Sequence, residues 1–195
     1  MKFTPIKFKL FPEDEIKLQT MSREEKAVFM EKIRNEHIKL LIAPRHPERN
    51  DAVFSLCKQT GVNVGKRSLK DNFVNNDIIL LDTMGELGKM YSICDFAFIG
   101  GSFNKTGGHN PLEACIFNKP VISGPSIHNF KDIYAIITRC EAGKIVNSEQ
   151  ALVEQMNKLL NDNEYYKRAC DDCKLVFEEN RGAINRVIEE LKNLL

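Results

Sequence analysis

Charge of one sign is what this chain of 195 residues most clearly lacks. Its 28 Lys and Arg stand against 27 Asp and Glu, for a net charge of +1. A protein that neutralises many phosphates carries a basic excess, so the balance argues against a dedicated nucleic-acid binder. Also missing is any apolar run long enough to span a bilayer, and any n-region followed by an h-region for secretion. The chain therefore reads as soluble and cytoplasmic. Repeats and low-complexity segments are absent, and so is an acidic cluster of metal-binding type. No metal and no cofactor are expected.

The six cysteines form no framework. Cys57, Cys94, Cys115 and Cys140 lie singly in or beside apolar segments, which reads as buried free thiols. Cys170 and Cys173 make a C-x-x-C, but no second pair and no His at ligand spacing accompany it. It also falls within a charged helical run rather than after a strand, so zinc or redox chemistry is disfavoured.

Hydrophobic residues make up 43% and charged residues 28%, as in an ordinary globular protein. The length suits one domain, or one half of a two-domain protein. Strand and helix signals alternate. Short apolar strands are expected at 38–43, 62–65, 77–81, 95–99, 120–123 and 143–146. Helices are expected at 48–60, 85–93, 110–117, 129–138, 148–161, 163–180 and 182–195. Gly61 is a natural helix end, and Ser148 a natural cap. Residues 1–15 read as a linker or edge segment. A first strand at 16–19 and a helix at 22–34 could follow, and His37 reads as structural. Residues 16–195 would then form the main domain. Near-continuous apolar strands alternating with helices predict an α/β fold, a Rossmann-like parallel sheet with helices on both faces and further helices at the C-terminus.

Ligands of such sheets bind beyond the carboxyl ends of the strands. The loops expected there, 44–49, 82–86, 100–110 and 124–130, hold most of the glycine, proline and histidine in the middle of the chain. The segment from Ile99 reads I-G-G-S-F-N-K-T-G-G-H-N-P-L-E. Glycines allow a backbone to approach an anion closely, and a helix N-terminus then offers N–H groups and a favourable dipole. Pro111 suits a first helical turn, which places Asn110 near the N-cap and Glu113 one turn in. This suggests a phosphate site with a carboxylate ready for hydroxyls, although Glu113 could instead cap its own helix. In P-R-H-P-E-R, Arg45, His46 and Arg49 cluster cations behind a strand, either to bind carboxylate or phosphate or as a solvated turn. In D-T-M-G-E-L, backbone groups could read a flat base, or Thr83 could simply cap a helix. In G-P-S-I-H-N-F, Asn129 could cap the following helix.

Taken together, these four motifs in this order resemble the C-terminal half of bacterial 3-deoxy-D-manno-octulosonic acid (Kdo) transferases. The family pattern is close to P-R-H-P-E-R, D-T-x-G-E-L, G-G-S-x-x-x-x-G-G-H-N-x-x-E and G-P-x-x-x-N-F, and it is matched from Pro44 to Phe130. The resemblance implies one half of a GT-B glycosyltransferase of lipopolysaccharide biosynthesis, in which this half binds the donor, CMP-Kdo. An N-terminal domain would bind the lipid A precursor and supply the catalytic base, so no catalytic residue is expected here. The isolated chain would be inactive, and the full-length enzyme would work at the inner face of the inner membrane. By similarity Arg45, beside His46, would meet the donor's anionic part. Met84, Gly85 and Glu86 would line the cytidine pocket. Gly107, Gly108 and Asn110 would hold the phosphate and Kdo, and Glu113 the ribose. One departure is that Thr20-Met21-Ser22-Arg23-Glu24-Glu25 stands where the family has S-T-H-x-x-E-E, without the histidine. The other readings are a GT-B enzyme using another sugar nucleotide, such as a UDP-sugar transferase or epimerase, and a non-catalytic nucleotide-binding module.

Overall fold

The computed structural model describes residues 8–10 and 38–181. Seven strands are described: β1 (Phe8–Leu10), β2 (Leu40–Ile42), β3 (Val64–Lys66), β4 (Ile78–Leu80), β5 (Ala97–Ile99), β6 (Val121–Ser123) and β7 (Gly143–Ile145). The α-helices are α1 (Asn50–Lys58), α2 (Leu87–Ile93), α3 (Leu112–Cys115), α4 (Lys131–Ile137), α5 (Glu149–Asn161) and α6 (Asn163–Arg181). The expected strand at 16–19 and the helices at 22–34 and 182–195 lie outside the described residues, as does His37.

Every strand pairing is parallel. One ladder runs β1-β2-β4-β3 and the other β5-β6-β7. β1, within the segment read as a linker or edge strand, pairs with β2 and lies against β5 on its other side. From β1 the chain fills one side of the sheet and then crosses to β5 to fill the other. The strand order therefore reverses between β1 and β5, the place where an open α/β sheet leaves a crevice for ligands.

Why the strands read as continuous apolar runs is visible in the packing. Alternate residues enter two different cores. Leu40, Ile42, Ile78, Leu80, Phe96, Phe98 and Ile122 face one, with α1, α5 and the start of α6 packed over them. Leu41, Ala43, Ile79, Leu81, Ala97, Ile99 and Val121 face the other, under α2, α3, α4 and the later turns of α6. Each large side chain removed from water on this scale contributes about 1.5–3 kcal/mol. A sheet covered on both faces leaves only its strand ends for chemistry.

Helix ends follow their local signals. Ser148 accepts the Ala151 N–H at 3.1 Å and caps α5. The helix expected at 48–60 begins as a 3-10 turn at Pro47–Arg49, continues as α1, and is followed by Gly61 at φ +75°. The helix expected at 110–117 shrinks to α3, a single turn. Lys119 N–H donates to the Ala114 carbonyl at 3.1 Å, and Asn118 takes φ +55°, which closes the turn early in the manner of a left-handed C-terminal cap.

The cysteines are free. Cys57, Cys94, Cys115 and Cys173 are buried, whereas Cys140 and Cys170 are half-buried. Burial raises the Cys140 and Cys170 thiols above their ordinary range, and contact with Cys115 together with burial raises Cys173. Thiols held protonated in this way are poor nucleophiles.

Candidate functional site

Because all strands run parallel, the loops after β2, β4, β5 and β6 emerge at one edge. They enclose a cleft of about 590 Å³. Its wall includes Arg45 from the first loop, Thr83, Met84 and Gly85 from the second, Gly108, His109 and Asn110 from the third, and Asn129 from the fourth. Glu113 of α3 joins them. Of the residues singled out in the sequence, the cleft thus gathers Arg45, Met84, Gly85, Gly108, Asn110 and Glu113. His46, Glu86 and Gly107 are not in its wall.

Each of those three has a different place. His46 sits at the surface, 3.6 Å from the Glu48 carboxylate, so the expected cation cluster does not converge on the cleft. Glu86 turns away from the cleft and braces its own loop. Its carboxylate accepts from the Thr83 hydroxyl and, at 2.9 Å, from Arg67 Nη2. These two hydrogen bonds hold the Glu86 carboxyl below the usual carboxylate range. Thr83 therefore locks the loop through Glu86 and does not cap α2, whose N-terminus has no side-chain cap. Ser68 completes the brace by binding the Asp82 carboxylate through its N–H at 2.8 Å and its hydroxyl at 2.5 Å. The loop so held presents Met84, 83% exposed, beside Gly85 at φ +77° with open space around it. An exposed thioether next to a bare backbone makes a flat, apolar platform suited to a planar ring.

Gly107 is a turning point of the third loop. Both Gly107 and Gly108 adopt positive φ, +94° and +69°. Their N–H groups donate to the Gly101 carbonyl at 3.2 and 3.1 Å, so they close the loop rather than face the cleft. A Cβ on Gly107 would stand 2.5 Å from the His128 ring and 2.7 Å from Asn129 Nδ2. Only glycine permits this packing. The phosphate cradle expected from N–H groups at a helix start is correspondingly reduced, since α3 has one turn and little dipole to offer.

The polar groups at the cleft are side chains instead. Asn110 Oδ1 takes the Leu112 N–H at 3.1 Å, the position expected of it near the start of α3. Glu113 is exposed on α3, and its carboxylate has no hydrogen-bond partner among the described residues, so it is not spent on capping. Arg45 Nη1 lies 3.1 Å from His109 Nδ1, which joins the first loop to the third across the switch point. Asn129 does not cap α4 as expected. Its Nδ2 donates to the Thr106 carbonyl at 2.8 Å and ties the fourth loop to the third. A buried Ser102 does the same from below. Its hydroxyl donates to the Ile99 carbonyl at 2.6 Å and accepts the Gly124 N–H at 2.7 Å, and its carbonyl accepts the Ser126 N–H at 2.7 Å.

His109, Ser102, Arg67 and Ser68 were not assigned a role from the sequence. His109 and Ser102 stand inside the glycine-rich motif, where their pattern offered a signal. Arg67 and Ser68 lie in a 3-10 turn after β3, and no local signal links them to partners 19 and 14 residues on.

Residues 26–172 match the family described as glycosyl transferases group 1. The chain is 42% identical over 158 residues to the 3-deoxy-D-manno-octulosonic acid transferase of Haemophilus influenzae, a match covering 80% of this chain and 37% of that protein. It is 33% identical over 158 residues to the enzyme of the same name from Rickettsia prowazekii, covering 80% of this chain and 34% of that one. It thus spans about a third of the length of these curated relatives. Among solved structures, the C-terminal CMP-Kdo binding domain of WaaA from Acinetobacter baumannii superposes with a TM-score of 0.75 at 27% identity. That match covers 88% of this chain and 89% of the solved domain. With three quarters of its length inside the family match, the chain belongs to the group 1 glycosyl transferases.

Proposed function

We propose that this chain binds CMP-Kdo and serves as the donor-binding half of a glycosyltransferase that passes Kdo to a lipid A precursor. The observation that carries this reading is the cleft itself. It gathers, at one switch point, an apolar platform at Met84 and Gly85, an unspent carboxylate at Glu113 and a guanidinium at Arg45. A solved domain of nearly the same extent, named for binding CMP-Kdo, supports the choice of nucleotide.

The chemistry assigned to each group follows from its type. The platform takes the cytosine ring. Glu113, an acceptor-only carboxylate, takes the ribose hydroxyls, and Asn110 lies toward the phosphate and sugar. Gly108 lets the loop approach closely, and Gly107 sets the path of that loop against His128 and Asn129. As the bond from the sugar to CMP breaks, negative charge grows on the phosphate. Arg45, always protonated and able to give two parallel hydrogen bonds, stabilises that charge and so favours departure of CMP. Glu86 braces the second loop, and His46 pairs with Glu48 at the surface. The acceptor and the general base belong to the rest of a full-length enzyme, working at the inner face of the inner membrane. Among the described residues no helix is long and apolar enough to cross a membrane.

The test is calorimetric titration of the chain with CMP and UMP, repeated for Glu113→Ala. CMP should bind more tightly than UMP. The substitution should weaken CMP by on the order of tenfold, the worth of a hydrogen bond to a charged group. A preference for the uridine nucleotide, or an unchanged affinity in Glu113→Ala, would overturn the proposal.

A further inference from the structure

Arg67 and Arg45 both serve the cleft loops, and their partners differ in kind. Arg67 is paired with a carboxylate, Glu86, at 2.9 Å. Its charge is neutralised, and the pair acts as a brace. Arg45 has no carboxylate within ion-pair distance among the described residues. Its hydrogen bond runs to the half-buried His109 ring, 64 residues away in sequence. A guanidinium can only donate, so His109 Nδ1 must accept, which places the ring proton on Nε2 and keeps the imidazole neutral. A neutral acceptor orients the guanidinium without cancelling its charge. A carboxylate in the same place would compete with any anionic ligand, and solvent alone would leave the long side chain free to rotate.

We infer that His109 is a positioning residue for Arg45: its neutral imidazole holds the guanidinium at the cleft wall, charged and ready for the anionic group of the donor. The inference rests on the reading above, in which Arg45 meets the phosphate. Its worth is the freedom that Arg45 no longer has to lose on binding. Fixing one rotamer-rich side chain costs about 0.5–1.5 kcal/mol, which as affinity is roughly two- to tenfold.

A double-mutant cycle on CMP affinity tests this, run near pH 8 with His109→Ala, Arg45→Ala and the double variant, and with cytidine as the ligand that lacks the phosphate. His109→Ala should weaken CMP by roughly two- to tenfold when Arg45 is present. It should have no effect when Arg45 is already Ala, and none on cytidine in either background. His109→Asn, whose amide oxygen can stand where Nδ1 stands, should recover most of the lost affinity and guards against a folding defect in His109→Ala. An additive cycle, or an equal loss for cytidine, would overturn the inference, because His109 would then touch the ligand or merely shape the loop. Failure of His109→Asn to recover affinity would overturn it too. Nitrogen chemical shifts of the His109 ring in the unliganded chain provide a readout that needs no nucleotide. They should show the proton on Nε2 and lose that bias in Arg45→Ala, and a ring with its proton on Nδ1 would also overturn the inference. If the chain binds no CMP at all, the proposed function falls, and the ring shifts still decide whether His109 accepts from Arg45.

Discussion

Ser102→Ala removes a single oxygen from beneath the cleft, and its cost can be worked from the hydrogen bonds around it. Ser102 is fully buried, and its hydroxyl is used in both directions, as donor to Ile99 and acceptor from Gly124. With alanine, the Gly124 N–H keeps its buried position and loses this acceptor. An unsatisfied buried donor costs about 1–3 kcal/mol. Water does not readily repair the loss, because Ser102 is fully buried, as is Ser123 next to Gly124. For a chain of this size each kcal/mol lowers Tm by about 2–4 °C, so a fall of roughly 2–12 °C is expected. Urea unfolding followed by circular dichroism would measure the loss directly. CMP affinity, measured well below the unfolding transition, should fall as well, since the hydroxyl fixes the third loop against the fourth. A loss under about 0.5 kcal/mol, within the range of ordinary surface substitutions, would refute the reasoning. So would a large loss of stability with unchanged affinity, which would reduce Ser102 to a core residue with no hold on the site.

Gly107→Ala should destabilise the third loop through its positive φ, at about 1–3 kcal/mol, and displace His128 and Asn129 from the space a Cβ would take. Chemical denaturation should show the loss, and CMP titration should show weaker binding. If the variant were as stable as the wild type, the loop would not be held as described. The loop brace should depend on pH. The Glu86 carboxyl is held below its ordinary range by Thr83 and Arg67, so the brace is fully present at neutral pH and is lost as pH falls through that depressed value. Arg67→Gln should move this acid transition upward, toward the ordinary carboxylate range. The methyl resonance of Met84, followed by nuclear magnetic resonance across the acid range, would report it. A transition at the same pH in both proteins would remove Arg67 from the brace.

The fold was legible because strands buried on both faces must read as continuous apolar runs. Residues 38–43, 77–81 and 95–99 did so, and the two cores show why: neighbouring residues such as Leu40 and Leu41 are both apolar because each has its own core to fill. Helix starts with an explicit cap were legible too, as Ser148 shows. The single turn of α3 was not. Ending it at Cys115 depends on Asn118 accepting a left-handed conformation, and Asn does that less routinely than Gly, so the sequence carried only a weak stop signal.

The site was legible in a more uneven way. Motif and topology agreed on which edge holds it, because chemistry-bearing residues collected in the loops that a parallel sheet brings to one end. What residue types could not show is how each polar group is already engaged. Glu86 and Glu113 look alike in sequence, each a carboxylate at the start of a helix in a glycine-bearing motif. Arg67 claims the first and no described residue claims the second, and that difference separates a carboxylate spent on a brace from one left open at the cleft. Arg45 and His46 likewise stand side by side as two cations. Only the contacts reveal that His46 belongs to a surface pair with Glu48, while the histidine in hydrogen-bond contact with Arg45 comes from the other half of the sheet. A sequence motif names the groups that reach the cleft edge. Partners distant in the chain decide which of them keep their charge and their free valence for a ligand.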